Sequence, residues 1–549
     1  MTVQRTDGWD REVTLVSQIA AAASLLSFLY YFRHGDLLLY GDAVAHINIA
    51  RRVIDSRTPG PLQLGTVWLP LPHLLMVPFL ISDAAWQTGI GGSIPAMFAY
   101  VLATTGIFRL VRDCLRGREP ASVSTRIAAW LAAAIYAANP NLLYLQATAM
   151  TEVLYSALFI WSLVYGNEFC QAAEQLDRTR AGSSLRKCGW CLAGACLTRY
   201  DGWFLAGAMS LVFAWVIVRS HDNRTALSRS LVGFILLAAS APLLWLGYNA
   251  LVYRDPLEFA RGPYSARAIE QKAKALRFSS YPGGHDPKVS FSYFLKAAES
   301  NMAENGFEQK IWLGLFAVGT GIAVLIWRRL WPLVLVVIPL PFYTLSVAYG
   351  SVPIYLPRWW PFAYYNVRFG TELIPAFAVF AAVTIAWGLS RAQATWTKAA
   401  ILVGLVALVA TSYGGVWKAQ PICYREAWAN SLTRIALEKE LAATLLKLPP
   451  DSDLLMYLGD HVGALEDAGI PLRRVINEGN HRPWKKPSDP EGLWEKALAD
   501  PLRFVDYVIA IDEDPVEERV ERRDLVSVVV VHTLGQAPAT IYWTHRHKH

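Results

Sequence analysis

The sequence predicts a mainly α protein: a polytopic helical membrane domain followed by a small α/β domain. Three observations carry this. Of 549 residues, 54% are hydrophobic and only 17% charged, with a mean hydropathy of +0.27; that is more apolar surface than a soluble chain of this size needs. Long uncharged runs recur from the N-terminus to about residue 416. From about residue 427 the pattern changes to one amphipathic helix and short runs of Val, Ile and Leu. The expected division is therefore 1–426 for the membrane domain and 427–549 for the α/β domain.

Taken in order, residues 13–32 carry no charge. At about 1.5 Å per residue they are long enough for a ~30 Å hydrocarbon core. The run is too long for a signal-peptide core and lacks a clean small-residue cleavage site, so it reads as a retained span. Arg5 and Arg11 place the N-terminus in the cytoplasm. Past this span, Val44, Ile47 and Ala50 recur at helical spacing behind Gly41-Asp42. That predicts a short interfacial helix with Asp42 at its N-cap. Residues 66–81 are apolar but broken by Pro70, Pro72 and Pro78, as in an interfacial or re-entrant piece.

The next crossing, 95–111, ends in a cytoplasmic cluster of Arg109, Arg112, Arg116 and Arg118. Residues 127–145 return outward to Asn139-Pro140-Asn141, and 151–165 go back in to Arg178, Arg180, Arg186 and Lys187. The run 188–218 has basic residues on both flanks, so it must turn at its outer side, at Thr198-Arg199-Tyr200-Asp201-Gly202. Residues 231–252 cross outward to a polar loop, 253–309. Residues 311–326 cross inward to Arg328-Arg329, and 331–348 outward to a Trp-, Tyr- and Arg-rich loop, 349–370. Residues 373–389 and 399–413 complete eleven crossings. The C-terminal domain is then extracytoplasmic. It should hold a helix at 432–448, strands at 454–458, 504–511 and 526–533, and helical turns at 493–499. Gly459-Asp460-His461 lacks a Gly-rich phosphate fingerprint, so the domain reads as one for packing or acceptor recognition, not for nucleotides.

The net charge of +7 is modest, and its basic residues sit mostly in short loops; that reports topology, not nucleic-acid binding. Six cysteines are scattered and form no disulfide framework. Cys188, Cys191 and Cys196 read as small packing residues in an apolar segment.

The expected topology brings Asp42, His46, Arg51, Arg52, His73, Glu152, Arg199, Asp201, Arg358 and Arg368 to one face. Charges at membrane depth are functional candidates by default. An acid beside several arginines suits transfer from a phosphate-bearing donor: a carboxylate deprotonates the attacking hydroxyl, and arginines hold the phosphate leaving group. A lipid-linked donor would need no nucleotide. Plainer roles stand beside these. Asp42 could cap its helix, Arg51 and Arg52 could snorkel to headgroups, and Glu152 could answer a helix dipole. Arg199 and Asp201 could pair only with each other. Trp359-Trp360 and Tyr364-Tyr365 suit an aromatic belt or a sugar platform. His285-Asp286 offers two ligands, too few for a metal site.

In these motifs the sequence resembles the GT-C superfamily of integral-membrane glycosyltransferases that use polyprenyl-phosphate sugars. It is similar to the protein O-mannosyltransferase and aminoarabinose transferase group (glycosyltransferase family 39-like). The matching features are Gly41-Asp42 in the first outer loop, Trp68-Leu69-Pro70-Leu71-Pro72-His73, and Thr151-Glu152 opening a span. Leu197-Thr198-Arg199 at a helix-pair tip and Arg368-Phe369 ahead of an apolar span complete them. The resemblance covers roughly residues 10 to 390. It implies transfer of a sugar from a polyprenyl-phosphate donor to a lipid, glycan or protein acceptor at the outer face of the cell inner (plasma) membrane. Asp42 would be the base and Arg368 and Arg199 would hold the phosphate. Ala43 stands where many relatives carry a second acid, so no paired-carboxylate metal site follows. No cofactor is certain and a divalent metal is left open. The competing function classes are a transporter or lipid flippase for glycan precursors, and a membrane scaffold for glycan assembly. A transporter should carry charges or broken helices at the bilayer midplane and internal repeats, and the sequence shows neither.

Overall fold

The computed structural model describes residues 8–116, 122–219, 224–275 and 280–545; Arg5 and Arg118 of the expected basic clusters lie outside them. The first helix, α1 (Gly8–His34), is followed by a short α2 (Gly41–Arg52). Two predictions for α2 need correcting. Its N-cap is Tyr40, with no side-chain cap, and Asp42 sits inside the first turn. Nor does α2 lie on a surface: Ala43, Val44 and every residue from His46 to Arg52 are buried. Ile47 packs under Gly92, where an added Cβ would lie 2.7 Å from the Ile47 side chain.

The proline-rich stretch gives only α3 (Pro70–Met76) and a 3-10 turn, Val77–Leu80, as interrupted backbone donors require. Then come α4 (Ile90–Arg116), α5 (Val123–Ala137), α6 (Pro140–Leu145) and α7 (Glu152–Glu174). The crossing expected at 127–145 is broken. Asn139 accepts from the backbone nitrogens of Asn141 and Leu142, and Pro140 opens a new helix. The helix pair expected at 188–218 is α8 (Arg178–Cys196) and α9 (Asp201–Arg219). Gly202 lets the two meet at the tip, because a Cβ there would come within 2.5 Å of the Ala195 carbonyl carbon.

After α10 (Arg224–Tyr253), the expected polar loop contains a buried amphipathic helix, α11 (Pro287–Met302). Its Ser290, Phe294, Ala297, Ala298 and Asn301 recur at helical spacing and are buried. The rest of the bundle is α12 (Gly306–Gly321), a 3-10 segment Arg328–Val337, α13 (Pro339–Tyr349), α14 (Ile374–Arg391) and α15 (Thr395–Ala419). A 3-10 turn, Val367–Leu373, leads into α14. The central helix is α14, whose residues from Ile374 to Val383 are all buried.

Nine helices among the described residues are long and apolar enough to cross a membrane, so the chain is built as a multi-pass membrane protein. Two of the eleven expected crossings have no such helix. One is the interrupted 127–145. The other is the first arm of the helix pair, α8, whose first half carries Arg178, Arg180, Arg186 and Lys187.

A helix α16 (Ile422–Leu445) runs unbroken across residue 427 into a five-stranded sheet of order β2-β1-β3-β5-β4. Its strands are β1 (Leu454–Met456), β2 (Val475–Ile476), β3 (Tyr507–Ile511), β4 (Val526–Val531) and β5 (Ala539–Trp543). β1 pairs in parallel with β2 and β3, and β5 antiparallel with β3 and β4. This part of the chain grips α2 and the segment after it. Asn48 donates to Glu466 at 2.7 Å, Arg52 pairs with Glu478 at 3.1 Å, and Arg473 pairs with Asp55 at 3.0 Å.

Candidate active site: an acid–arginine cluster at one end of the bundle

The first turns of α2, α7, α9 and α16 and the 3-10 turn before α14 converge at one end of the bundle. Arg368, on that turn, uses every guanidinium nitrogen on a carboxylate from a different helix. Its Nε donates to Glu152 at 3.1 Å, Nη1 to Glu426 at 2.9 Å, and Nη2 to Asp42 at 2.5 Å. Gly370 allows this turn to press on α11, since a Cβ there would meet the Ala297 carbonyl carbon at 2.5 Å. Arg199, at the helix-pair tip, donates from Nη1 to Thr151 and Glu152, each at 3.1 Å, and from Nη2 to the Tyr343 hydroxyl at 2.8 Å. Its Nε lies 3.4 Å from Asp201. The Tyr343 hydroxyl donates in turn to Asp201. Glu152 therefore bridges the two arginines. Both guanidiniums also lie over the Phe369 ring, at 5.2 Å.

Five carboxyls thus gather around two guanidiniums: Asp42, Glu152, Asp201, Glu372 and Glu426. Glu152, Glu372 and Glu426 have side chains only 1–2% exposed, whereas Asp42 is 40% exposed. Asp42 is therefore the acid that can meet a hydroxyl arriving from outside the cluster. Beside it, His46 Nδ1 and His73 Nε2 are 2.8 Å apart, and Trp68 lies against His46. Burial, and then the positive charges of Arg368 and Arg199, push His46 down to about 3. Burial also pushes His73 well below the usual imidazole range, helped by His46 and Arg52. Both rings are neutral at pH 7, so one supplies an N–H and the other a lone pair.

The structure brings Asp42, Glu152, Arg199, Asp201 and Arg368 together, with His46 and His73 alongside. It does not bring the other three. Arg51 binds Asp55, Asp83 and the Leu80 carbonyl and stacks on Trp86. Arg52 is taken up by Glu478, and Arg358 is an exposed residue paired with Glu304. These three hold structure together and do not face the cluster.

Sequence reasoning missed Glu372, Glu426, Tyr343 and Tyr40, whose ring lies 5.1 Å from the Arg368 guanidinium and whose hydroxyl donates to Glu426 at 3.3 Å. Glu372 had a usable signal. It is an acid inside the apolar stretch Val367–Arg391, one residue ahead of the uncharged run 373–389. Glu426 sits in the first turns of a helix with nothing local to mark it. Among the described residues, no group of three or more His, Cys, Asp or Glu is placed to hold a metal ion. These carboxylates are drawn apart onto guanidiniums and do not converge on one point.

No protein family model matches the chain, and no curated protein matches it. Solved structures do. ArnT from Cupriavidus metallidurans bound to undecaprenyl phosphate aligns at 14% identity over 97% of this chain and 98% of that chain, with a TM-score of 0.56. The same protein in the apo state aligns at 14% identity over 99% and 100%, with a TM-score of 0.59. The oligosaccharyltransferase of Archaeoglobus fulgidus in the apo form aligns more loosely, at 12% identity over 91% of this chain and 69% of that chain and a TM-score of 0.46. The likeness to ArnT shows that this chain has the GT-C fold, with its helical bundle and small C-terminal sheet.

Proposed function

We propose that this protein is a membrane glycosyltransferase that moves a sugar from a polyprenyl-phosphate donor to an acceptor hydroxyl, with Asp42 as general base. One observation carries the reading: a half-exposed carboxylate stands at the edge of a buried acid–arginine cluster. It lies under a fold shared with an ArnT that binds undecaprenyl phosphate. Asp42 takes the acceptor proton as the acceptor oxygen attacks the anomeric carbon. The bond from that carbon to the phosphate oxygen breaks, and its electrons leave with the polyprenyl phosphate.

Arg368 Nη2 is the contact that can change partners. A donor phosphate arriving at the exposed edge takes over Nη2 and frees the Asp42 carboxylate to act as base. Arg199, held by Glu152, Asp201 and Tyr343, supports the same charge from behind. His46, His73 and Trp68 flank the sugar side. The cluster is on the extracytoplasmic face of the inner membrane, with the 427–549 domain on that face and the N-terminus in the cytoplasm. This sidedness rests on where Arg and Lys collect.

The test is sugar transfer by purified protein given polyprenyl-phosphate-linked sugars, followed as release of polyprenyl phosphate. Asp42→Asn keeps shape and should lower turnover about a hundredfold or more. Near-normal transfer by that variant would remove Asp42 as the base. No release by the wild type from any such donor would remove the function.

A further inference from the structure

A second cavity lies at the other end of the bundle, where α4 and α7 finish, α5 begins and the 3-10 segment Arg328–Val337 starts. On α7, Glu152 belongs to the acid–arginine cluster, and Asn167, Gln171 and Glu174 line this cavity. They follow 15–22 residues later along one helix, roughly 22–33 Å away at about 1.5 Å per residue. That is the thickness of a hydrocarbon core. The cavity encloses about 550 Å³, within the roughly 300–1,000 Å³ of small-ligand sites.

Its walls are not what packing alone requires. Asn167 is only 5% exposed, yet its side-chain nitrogen has no hydrogen-bond partner among the described residues. Buried amides are seldom left that way. Thr125, also buried, and Gln171 add a hydroxyl and a second amide. Among the described residues, the lining holds two guanidiniums, Arg116 and Arg329, and one carboxylate, Glu174. Arg329 is steadied by donating to the Leu115 carbonyl at 2.8 Å, and a guanidinium has further donors to offer.

We propose that this cavity binds a phosphorylated polyol, with the phosphate held by Arg116 and Arg329 and the hydroxyls by Thr125, Asn167 and Gln171. Guanidinium forks match phosphate oxygens, and amides and hydroxyls match a polyol's mixed donors and acceptors. The cavity sits at the level of the lipid headgroups. The phosphate is therefore either the headgroup of an anionic phospholipid or a soluble sugar or polyol phosphate, two sources with one chemistry. The proposal is independent of the glycosyltransferase reading.

Thermal unfolding of the purified full-length protein in neutral detergent tests it. The probes are glycerol 3-phosphate, inorganic phosphate, and vesicles of phosphatidylglycerol against phosphatidylcholine. The expected result is stabilisation by glycerol 3-phosphate or by phosphatidylglycerol, with a half-saturating concentration raised at least tenfold in Asn167→Leu and in Arg116→Gln. Arg116 is exposed, so its substitution leaves the fold intact if Asn167→Leu does not. A response to phosphatidylglycerol alone assigns the site to lipid, and a response to glycerol 3-phosphate assigns it to a soluble ligand. No response to either overturns the proposal, as does a response unchanged in both variants. An equal response to inorganic phosphate overturns the polyol half of it.

Discussion

The two ends of the helical bundle handle charge in opposite ways. At the Asp42 end, Arg199 and Arg368 bind carboxylates from several different elements, and Arg368 has no nitrogen to spare. At the Asn167 end, Arg116 and Arg329 face a cavity of about 550 Å³ lined by amides and hydroxyls. The first end is a tied network with one exposed corner, Asp42. The second holds a buried Asn167 side-chain nitrogen with no hydrogen-bond partner among the described residues. A network of that kind fixes geometry and yields only where one bond can be exchanged. An open polar cavity gives up packing to gain a ligand. The comparison predicts that the same kind of substitution will have unlike consequences at the two ends.

The largest difference should come from removing an arginine. Arg368→Ala removes the guanidinium shared by Asp42, Glu152 and Glu426; Glu152 keeps Arg199, but Glu426, 1% exposed, loses its arginine. Breaking a buried ion pair by removing one partner costs about 3–5 kcal/mol. Arg329→Ala removes one exposed side chain and its bond to the Leu115 carbonyl, a loss of about 0.5–1.5 kcal/mol. Unfolding of both variants in detergent measures the gap. Equal costs would erase the contrast between the two ends.

The next effect lies within the first end and separates its corner from its centre. Asp42→Asn should change unfolding stability by less than about 1 kcal/mol, as for half-exposed ion pairs, while lowering turnover about a hundredfold. Glu426→Gln, at 1% side-chain exposure, should do the reverse and lose stability first. If Asp42→Asn unfolds as readily as Glu426→Gln, Asp42 is one more strut and not an exchangeable corner.

The histidine pair gives a pH test of how dry this end is. Both imidazoles have lowered pKa values, His46 to about 3, chiefly through burial. Above about pH 6.5, folded and unfolded chains are both neutral at these rings, and their contribution to stability is fully present. As pH falls from about 6.5 toward 3, the unfolded chain takes up protons that the folded one refuses. Stability is then lost at up to about 1.4 kcal/mol per pH unit for each ring. Unfolding at pH 7.5 and 5.5 should show this slope, and His73→Gln should reduce it. A slope unchanged by that variant would mean the pair is wet.

Much of this was legible in the sequence, and what was not has physical causes. Runs such as 13–32 and 373–389 announce helices because bilayer thickness sets their length. Thr198 to Gly202 could be placed at a tip because both flanks of 188–218 are basic. Gly41-Asp42, Glu152, Arg199 and Arg368 could be named because charge at membrane depth is costly. The burial of α2 was not legible, because the C-terminal segment that grips it lies some 400 residues later and reaches it through Glu466, Glu478 and Arg473. For the same reason Arg51 and Arg52 looked available when they are already paired. Strand β2, with only two residues, is too short to stand out. The Asn167 cavity left no trace, because its lining is assembled from five stretches far apart in the chain.

The smallest effect has an unusual sign. In the Asp42 cluster, truncating a buried polar group should destabilise, because each leaves a charged partner behind. Asn167→Leu leaves none behind at its side-chain nitrogen, which has no partner among the described residues. An unpaired buried amide is itself unfavourable by about 1–3 kcal/mol, and leucine is close enough in volume to sit in its place. Measured with no phosphorylated compound present, Asn167→Leu should therefore be neutral or stabilising by up to about 1 kcal/mol. With ligand present the order should invert, since only the wild type gains binding free energy. A loss of more than about 1.5 kcal/mol in the ligand-free protein would mean that Asn167 is held by something it needs in order to fold. The two ends of the bundle would then differ in degree and not in kind.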